Sequence, residues 1–120
     1  MKKTRQMKFE ELDEFRKDLK RLLKKYRTLE SDLDVVRQDL TDEPGEHPPF
    51  SYQIEGLGLK TCVIKVKKIA CRAMKGRGVN SGLRLIYAWY EEELRIVFVE
   101  LYFKGEKDME DRERIFKHFN

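Results

Sequence analysis

From about residue 60 the apolar residues of this chain change period, and that change limits the folds open to it. Before it, apolar residues recur at steps of three and four: Phe9, Leu12, Phe15, Leu19, Leu22, Leu23 and Tyr26, with Lys, Arg, Glu and Asp between them. At 3.6 residues per turn such a spacing gathers one apolar stripe, which predicts an amphipathic helix over 9–26. The piece before it, Thr4 to Lys8, reads as a strand or as a frayed helix start. Leu29, Leu33, Val36 and Leu40 predict a second helix, with Thr28 as its N-cap and Glu30 and Asp32 in the first turn. The short link between the two makes an antiparallel helical hairpin. After residue 60, Cys62, Ile64 and Val66 alternate with Val63, Lys65 and Lys67, as a strand with one buried face does. Leu83–Tyr90 and Leu94–Phe103 are rich in aromatic and branched residues and predict two further strands, joined by a turn at Glu91-Glu92-Glu93. Asp108 then caps a short last helix, with Met109, Ile115, Phe116 and Phe119 loosely on one side. The order helix, helix, strand, strand, strand, helix predicts an α+β fold: a helical hairpin packed on an antiparallel sheet of three to four strands, helices on one face. A chain of 120 residues supports one such core and not two, so residues 1–120 read as a single domain.

Between the two regimes, Asp42 to Gln53 holds all three prolines and Gly45, and reads as a loop. Lys75-Gly76-Arg77-Gly78-Val79-Asn80-Ser81-Gly82 is the connection between strands. No apolar run is long enough to span a bilayer, and the N-terminus, Met-Lys-Lys-Thr-Arg, leads into further charge instead of the apolar stretch of a secretory signal. The expectation is a cytoplasmic protein. Cys62 and Cys71 match neither a disulfide framework nor a four-ligand zinc pattern, and read as reduced, packed thiols.

The formal net charge of +4 conceals a strong segregation. Residues 30–55 carry eight acids against Arg37 alone, whereas residues 56–90 carry eight basic side chains and no acid. Such a stretch sets up a local field that attracts a polyanion, RNA or DNA phosphate first among them. Lysines guarding exposed strands account for one or two of these charges. They do not account for Lys65, Lys67, Lys68, Arg72, Lys75, Arg77 and Arg84 on neighbouring strands and their connection, with Lys104 at the end of the last strand. Arginine's planar fork suits phosphate; lysine adds a compact charge or, if its pKa falls among crowded neighbours, a base. Other chemistry finds little support. His47 and His118 have no metal-ligand spacing and read as surface residues. Lys75-Gly76-Arg77-Gly78 lacks the ending of a phosphate-binding P-loop. No metal and no cofactor is expected.

Residues 67–87, Lys-Lys-Ile-Ala-Cys-Arg-Ala-Met-Lys-Gly-Arg-Gly-Val-Asn-Ser-Gly-Leu-Arg-Leu-Ile-Tyr, resemble the centre of the RelE/ParE toxin superfamily. There a basic strand, a glycine-rich basic connection and a Gly-x-Arg-apolar-Ile-Tyr strand follow in that order. Glu100-Leu101-Tyr102-Phe103-Lys104-Gly105-Glu106 resembles the family's last strand, and Lys24-Lys25-Tyr26-Arg27-Thr28-Leu29 its helical hairpin. Gly56-Leu57-Gly58-Leu59, ahead of the first long strand, fits as well. The resemblance implies a toxin of a bacterial type II toxin–antitoxin pair, of the RelE- and HigB-like kind that cuts mRNA in the ribosomal A site. In such enzymes Lys and Arg, not paired histidines, activate the ribose 2′-hydroxyl and steady the transition state. By position, the resemblance makes Arg84 the transition-state stabiliser and Lys104 a second phosphate contact. It places Lys67, Lys68 and Arg72 on the basic strand, with Lys68 and Arg72 counted with Arg84 and Lys104 as catalytic. Lys65, Lys67, Lys75 and Arg77 are then RNA-binding. The chain departs from the family's best-known ribonuclease in lacking a tyrosine in its tail; His118 is a candidate acid by analogy with HigB-like members.

The partners implied are a cognate antitoxin, with acids for the basic patch and apolar residues for the helical hairpin, and the ribosome with its mRNA. Two alternatives remain open on the residues alone. One is a ParE-like, non-enzymatic toxin that blocks DNA gyrase. The other is a catalytically silent RNA-binding relative.

Overall fold

The alternating residues of the second half build the centre of the molecule. The computed structural model describes residues 6–119. Its elements run β1 (Lys8–Glu11), α1 (Asp13–Leu23), α2 (Leu29–Asp42), β2 (Ser51–Gln53), β3 (Cys62–Val66), β4 (Leu83–Tyr90), β5 (Arg95–Phe103) and α3 (Arg112–Phe119). The strands form one sheet in the order β1-β5-β4-β3-β2. Only β1 lies parallel to its neighbour; the other pairs are antiparallel. The α+β class is as the sequence predicts. No helix among the described residues is long and apolar enough to cross a membrane.

Two strands enlarge the expected sheet. Residues 9–11, expected as the first turn of a helix, instead continue from Lys8 as a strand along β5, with Phe9 opposite Ile96. Lys8 N–H donates to Leu94 O at 2.8 Å, Leu12 N–H donates to Phe98 O at 3.0 Å, and the Phe9 ring meets Phe98 edge-on at 6.0 Å. An inward Phe suits a strand and a helix equally, so local spacing does not separate them; the free edge of β5 does. Helix α1 therefore starts at Asp13, four residues later than periodicity implies. Of the expected Thr4–Lys8 piece, Thr4 and Arg5 lie outside the described residues. The second addition, β2, sits within the stretch that reads as a loop. Its outward N–H groups are already taken: Ser51 donates to His47 O at 3.1 Å and Gln53 to Glu46 Oε2 at 2.8 Å, so the sheet edge is blunted.

Helices cover both faces of the sheet, where the sequence predicts one. Phe15, Leu19 and Leu22 of α1 and Leu29, Leu33, Val36 and Leu40 of α2 pack with Ile64, Leu85, Tyr87, Phe98 and Leu101. On the other face Val63, Ile86, Ala88, Val97 and Val99 are covered by Ile115 of α3, with Leu57, Leu59 and Phe119 beside it. The sign in the sequence is the run Ile96–Phe103, buried residue after residue; a strand covered on both sides reads as continuous instead of alternating. Helix α3 begins at Arg112 and is capped by Asp111, whose Oδ1 accepts Arg114 N–H at 3.0 Å, not by Asp108.

A bulge re-aims β5. Ile86 faces Glu100 and Tyr87 faces Phe98, leaving Val99 as the extra residue. By then β1 has ended, and side chains take over the exposed edge of β5. Asp18 Oδ2 accepts Leu101 N–H at 3.1 Å, and Arg114 Nη1 donates to Val99 O and to Asp18 Oδ2, both at 2.8 Å. Burial opposes the Arg114 charge, but Asp18, with Glu100 and Asp111, outweighs it and raises the guanidinium pKa. This clasp ties α1, β5 and α3 together.

Candidate functional site: a cationic cleft at the end of the sheet

The C-terminal ends of β3 and β5 and the start of β4 meet at one end of the sheet, where the connection 67–82 folds back. Ser81, 3% exposed, closes that connection: its hydroxyl donates to Ile69 O at 2.6 Å and accepts Leu83 N–H at 3.1 Å. Gly82 follows at φ +85°, a conformation that strains any side chain, and its carbonyl accepts Lys104 N–H at 2.8 Å. The glycine thus brings Lys104 alongside the start of β4, and with it Arg84, two residues on.

A cleft of about 760 Å³ opens there, lined by Lys25, Tyr26, Lys67, Lys68, Met74, Arg77, Val79, Asn80, Ser81, Gly82, Arg84, Phe103, Lys104, Gly105 and Glu106. Six cations share it with one acid, Glu106, which pairs with Arg21 at 3.1 Å. Arg84 is half-buried and anchored through Nη1 to Lys67 O at 2.9 Å. Lys68 Nζ donates to Asn80 Oδ1 at 3.0 Å, and Lys67 Nζ lies 5.2 Å from the centroid of the Tyr52 ring. So many positive groups on one concave surface give a positive potential suited to consecutive phosphates.

Of the eight basic residues singled out in the sequence, Arg84, Lys104, Lys67, Lys68 and Arg77 line the cleft, while Lys65, Arg72 and Lys75 do not. Lys65 points to the α3 face and bonds Glu110 Oε1 at 3.1 Å, 5.9 Å from the Tyr102 ring centroid. Burial disfavours its charge, but Tyr102 and Glu110 outweigh that and raise its pKa, so Lys65 stays protonated. Arg72 turns towards α2. Its Nε donates to Asp32 Oδ1 at 3.1 Å and its Nη2 to Ser31 Oγ. Asp32, 3% exposed, also accepts the Thr28 hydroxyl at 2.7 Å and Arg72 N–H at 3.3 Å. The Thr28 oxygen in turn accepts Ala73 N–H at 2.9 Å. Thr28 sits at the start of α2 as expected, yet its side chain latches the connection instead of capping the helix. Lys75 lies exposed on the same connection.

The latch holds the segment that delivers Lys68 and Arg77 to the cleft. Asp32→Ala is expected to lower stability by about 1–2 kcal/mol, since it removes charge-assisted bonds whose other partners, the exposed Arg72 side chain and the half-buried Thr28 hydroxyl, water can partly satisfy. Urea unfolding measures this, and an unchanged midpoint would deny the latch its role.

His118, the candidate acid, is outside the cleft: its Nε2 lies 2.8 Å from Glu14 Oε2, near the start of α1. That hydrogen bond is the main cause holding the Glu14 carboxyl down to about 2, with Lys117 adding a smaller pull. A depressed carboxyl pKa contributes stability above its ordinary value and loses it as pH falls through the folded one, here from 4.5 to about 2. In His118→Gln the Glu14 titration, followed by carbon NMR, is expected to move back up towards 4.5. His47 is exposed and stacks on Phe50 with 5.7 Å between ring centroids. Cys71 is buried, and burial first of all pushes both thiols up, so neither is poised as a nucleophile.

Lys25 and Tyr26 were missed as cleft residues. The signal was the basic run Lys24-Lys25-Tyr26-Arg27 with an aromatic inside it, at the end of the first helix. Nothing local says which strand ends that helix terminus faces.

No protein-family model matches the chain, and no curated protein matches it. Among solved structures, it is similar to a double-mutant form of the E. coli toxin RelE in the free state. The two share 14% sequence identity and superpose with a TM-score of 0.53, over 87% of this chain and 90% of that one. The fold is RelE-like.

Proposed function

We propose that this chain, built on the RelE-like fold, is the toxin of a toxin–antitoxin pair and cleaves mRNA on the ribosome. The observation that carries the reading is the convergence of Lys67, Lys68, Arg77, Arg84 and Lys104, from four separate parts of the chain, on one cleft. RNA carries its own nucleophile. The ribose 2′-oxygen attacks the adjacent phosphorus, the bond to the 5′-oxygen breaks, and a 2′,3′-cyclic phosphate remains. Negative charge accumulates on the phosphorus oxygens as this happens. A guanidinium aimed there, with ammonium groups around it, lowers the barrier by several kcal/mol. Arg84 takes that part because its anchor on Lys67 O fixes its direction; Lys104 steadies the same phosphate. Lys67 and Lys68 carry protons to and from the oxygens, and Arg77 grips the backbone. Lys65 and Arg72 act by holding the α3 segment and the connection in place. Orientation of the mRNA by the ribosome supplies much of the remaining acceleration. The antitoxin covers the cleft with acidic side chains.

Pulse labelling after induced expression in bacteria tests the reading. Methionine incorporation is expected to fall within minutes while thymidine incorporation continues. Thymidine falling first would overturn it in favour of a gyrase-blocking toxin. RNA binding without ribosome-dependent cleavage would leave a silent relative.

A further inference from the structure

The cleft has a second chemistry that phosphate binding does not use. Beside the six basic side chains its lining has an apolar part, Tyr26, Met74, Val79 and Phe103. Phe103 is 5% exposed and belongs to the core, but Val79 is 42% exposed and belongs to neither core cluster. The Tyr26 ring is half-buried, backed by Phe103 with 4.3 Å between centroids and 39° between planes. The two rings form an aromatic pair in the lining of the same cleft as the basic side chains. Lys25 Nζ lies 5.4 Å from the centroid of the Tyr26 ring, in reach of both the ring and a phosphate beside it.

We propose that this apolar part of the lining is a nucleobase subsite, in which one unpaired base stacks on Tyr26, with Met74 and Val79 as further apolar contacts, while its flanking phosphates lie on Arg84 and Lys104. The inference rests on the reading of the cleft as an RNA site and adds the part of the RNA that the site takes. A base inside a duplex has both faces covered by its neighbours; only an unpaired one presents a π-face to a side chain. Stacking of this kind tolerates any base while favouring those that stack best, the purines. When the base enters, the Lys25 ammonium leaves the ring for the phosphate. The subsite therefore sets which nucleotide is held still beside Arg84.

The test uses the full chain and short single-stranded RNA with 2′-O-methyl groups, which cannot be cut, carrying an abasic residue at each position in turn. Fluorescence anisotropy reads affinity. One position is expected to stand out, where loss of the base weakens binding about tenfold. At that position 2-aminopurine fluorescence should be quenched. Tyr26→Leu, which keeps an apolar side chain against Phe103, is expected to erase the position dependence while leaving the salt dependence unchanged, since that reports phosphate contacts. Tyr26→Phe is expected to retain it. Val79→Ser, at an exposed position, gives a second variant with a weaker effect at the same nucleotide should Tyr26→Leu not fold. Equal binding by the whole abasic series would overturn the subsite and leave a phosphate-binding cleft. Equal losses in Tyr26→Phe and Tyr26→Leu would overturn it by pointing to the hydroxyl. Failure of every oligonucleotide to bind would overturn the cleft as an RNA site, and the subsite with it.

Discussion

Arg84→Ala is expected to abolish growth arrest and to lower mRNA cleavage by about 10²–10³-fold, the usual cost of deleting a preorganised group aimed at transition-state charge. The side chain also has a structural contact, the bond from Nη1 to Lys67 O, so a small stability loss of about 1 kcal/mol accompanies the change. That is too little to unfold a domain of ordinary stability. Thermal melting beside a cleavage assay separates the two effects. Arg84→Lys keeps the charge but not the planar fork that bonds the carbonyl and the phosphate together, and is expected to fall between wild type and alanine. Lys104→Ala should lose less, because Lys104 is exposed at the rim and its backbone, not its side chain, is tied to Gly82. An Arg84→Ala protein that still cuts mRNA at full rate would remove Arg84 from the site.

The largest stability effect is expected at the clasp on β5. Arg114→Met removes the guanidinium that bonds both Val99 O and Asp18, leaving the Asp18 carboxylate with Leu101 N–H but no countercharge, in a site where both side chains are 15% exposed. The expected loss is about 3 kcal/mol, read as a shift in the urea midpoint. In the double variant Asp18→Asn with Arg114→Met the two losses should not add, because an amide bears the missing cation better than a carboxylate does. Additive losses would mean that the two side chains act independently. Arg114 does not line the cleft, so toxicity per folded molecule is expected to survive the substitution.

The clasp also shows where local reading fails. Asp18 and Arg114 are 96 residues apart. Each looks like an ordinary charge on a solvated helix face, and only the bulge at Val99 and the early end of β1 create the orphaned edge that recruits them. Lys65 and Arg72 carry the same lesson for the cleft. Both belong to the basic run, and charge counting groups them with Lys67 and Lys68. Strand alternation sends Lys65 to Glu110, whose other oxygen Arg112 holds, and the turn after Cys71 sends Arg72 to Asp32; each meets a buried carboxylate.

What the sequence determined by itself was whatever depends on near neighbours along the chain. The stripe Leu29, Leu33, Val36 and Leu40 is buried as its spacing requires, and β4 runs from Leu83 to Tyr90 as its composition predicts. The basic connection was legible too, since eight charges without an acid need no coordinates to be counted. The tertiary structure decided everything set by partners distant in sequence. It placed β1 against β5, α3 on the second face of the sheet, His118 on Glu14 and Lys25 with Tyr26 in the cleft. The physical reason is that periodicity tells which side of an element seeks burial or charge, but not what meets it there. That is settled by the edges and faces the rest of the chain leaves open.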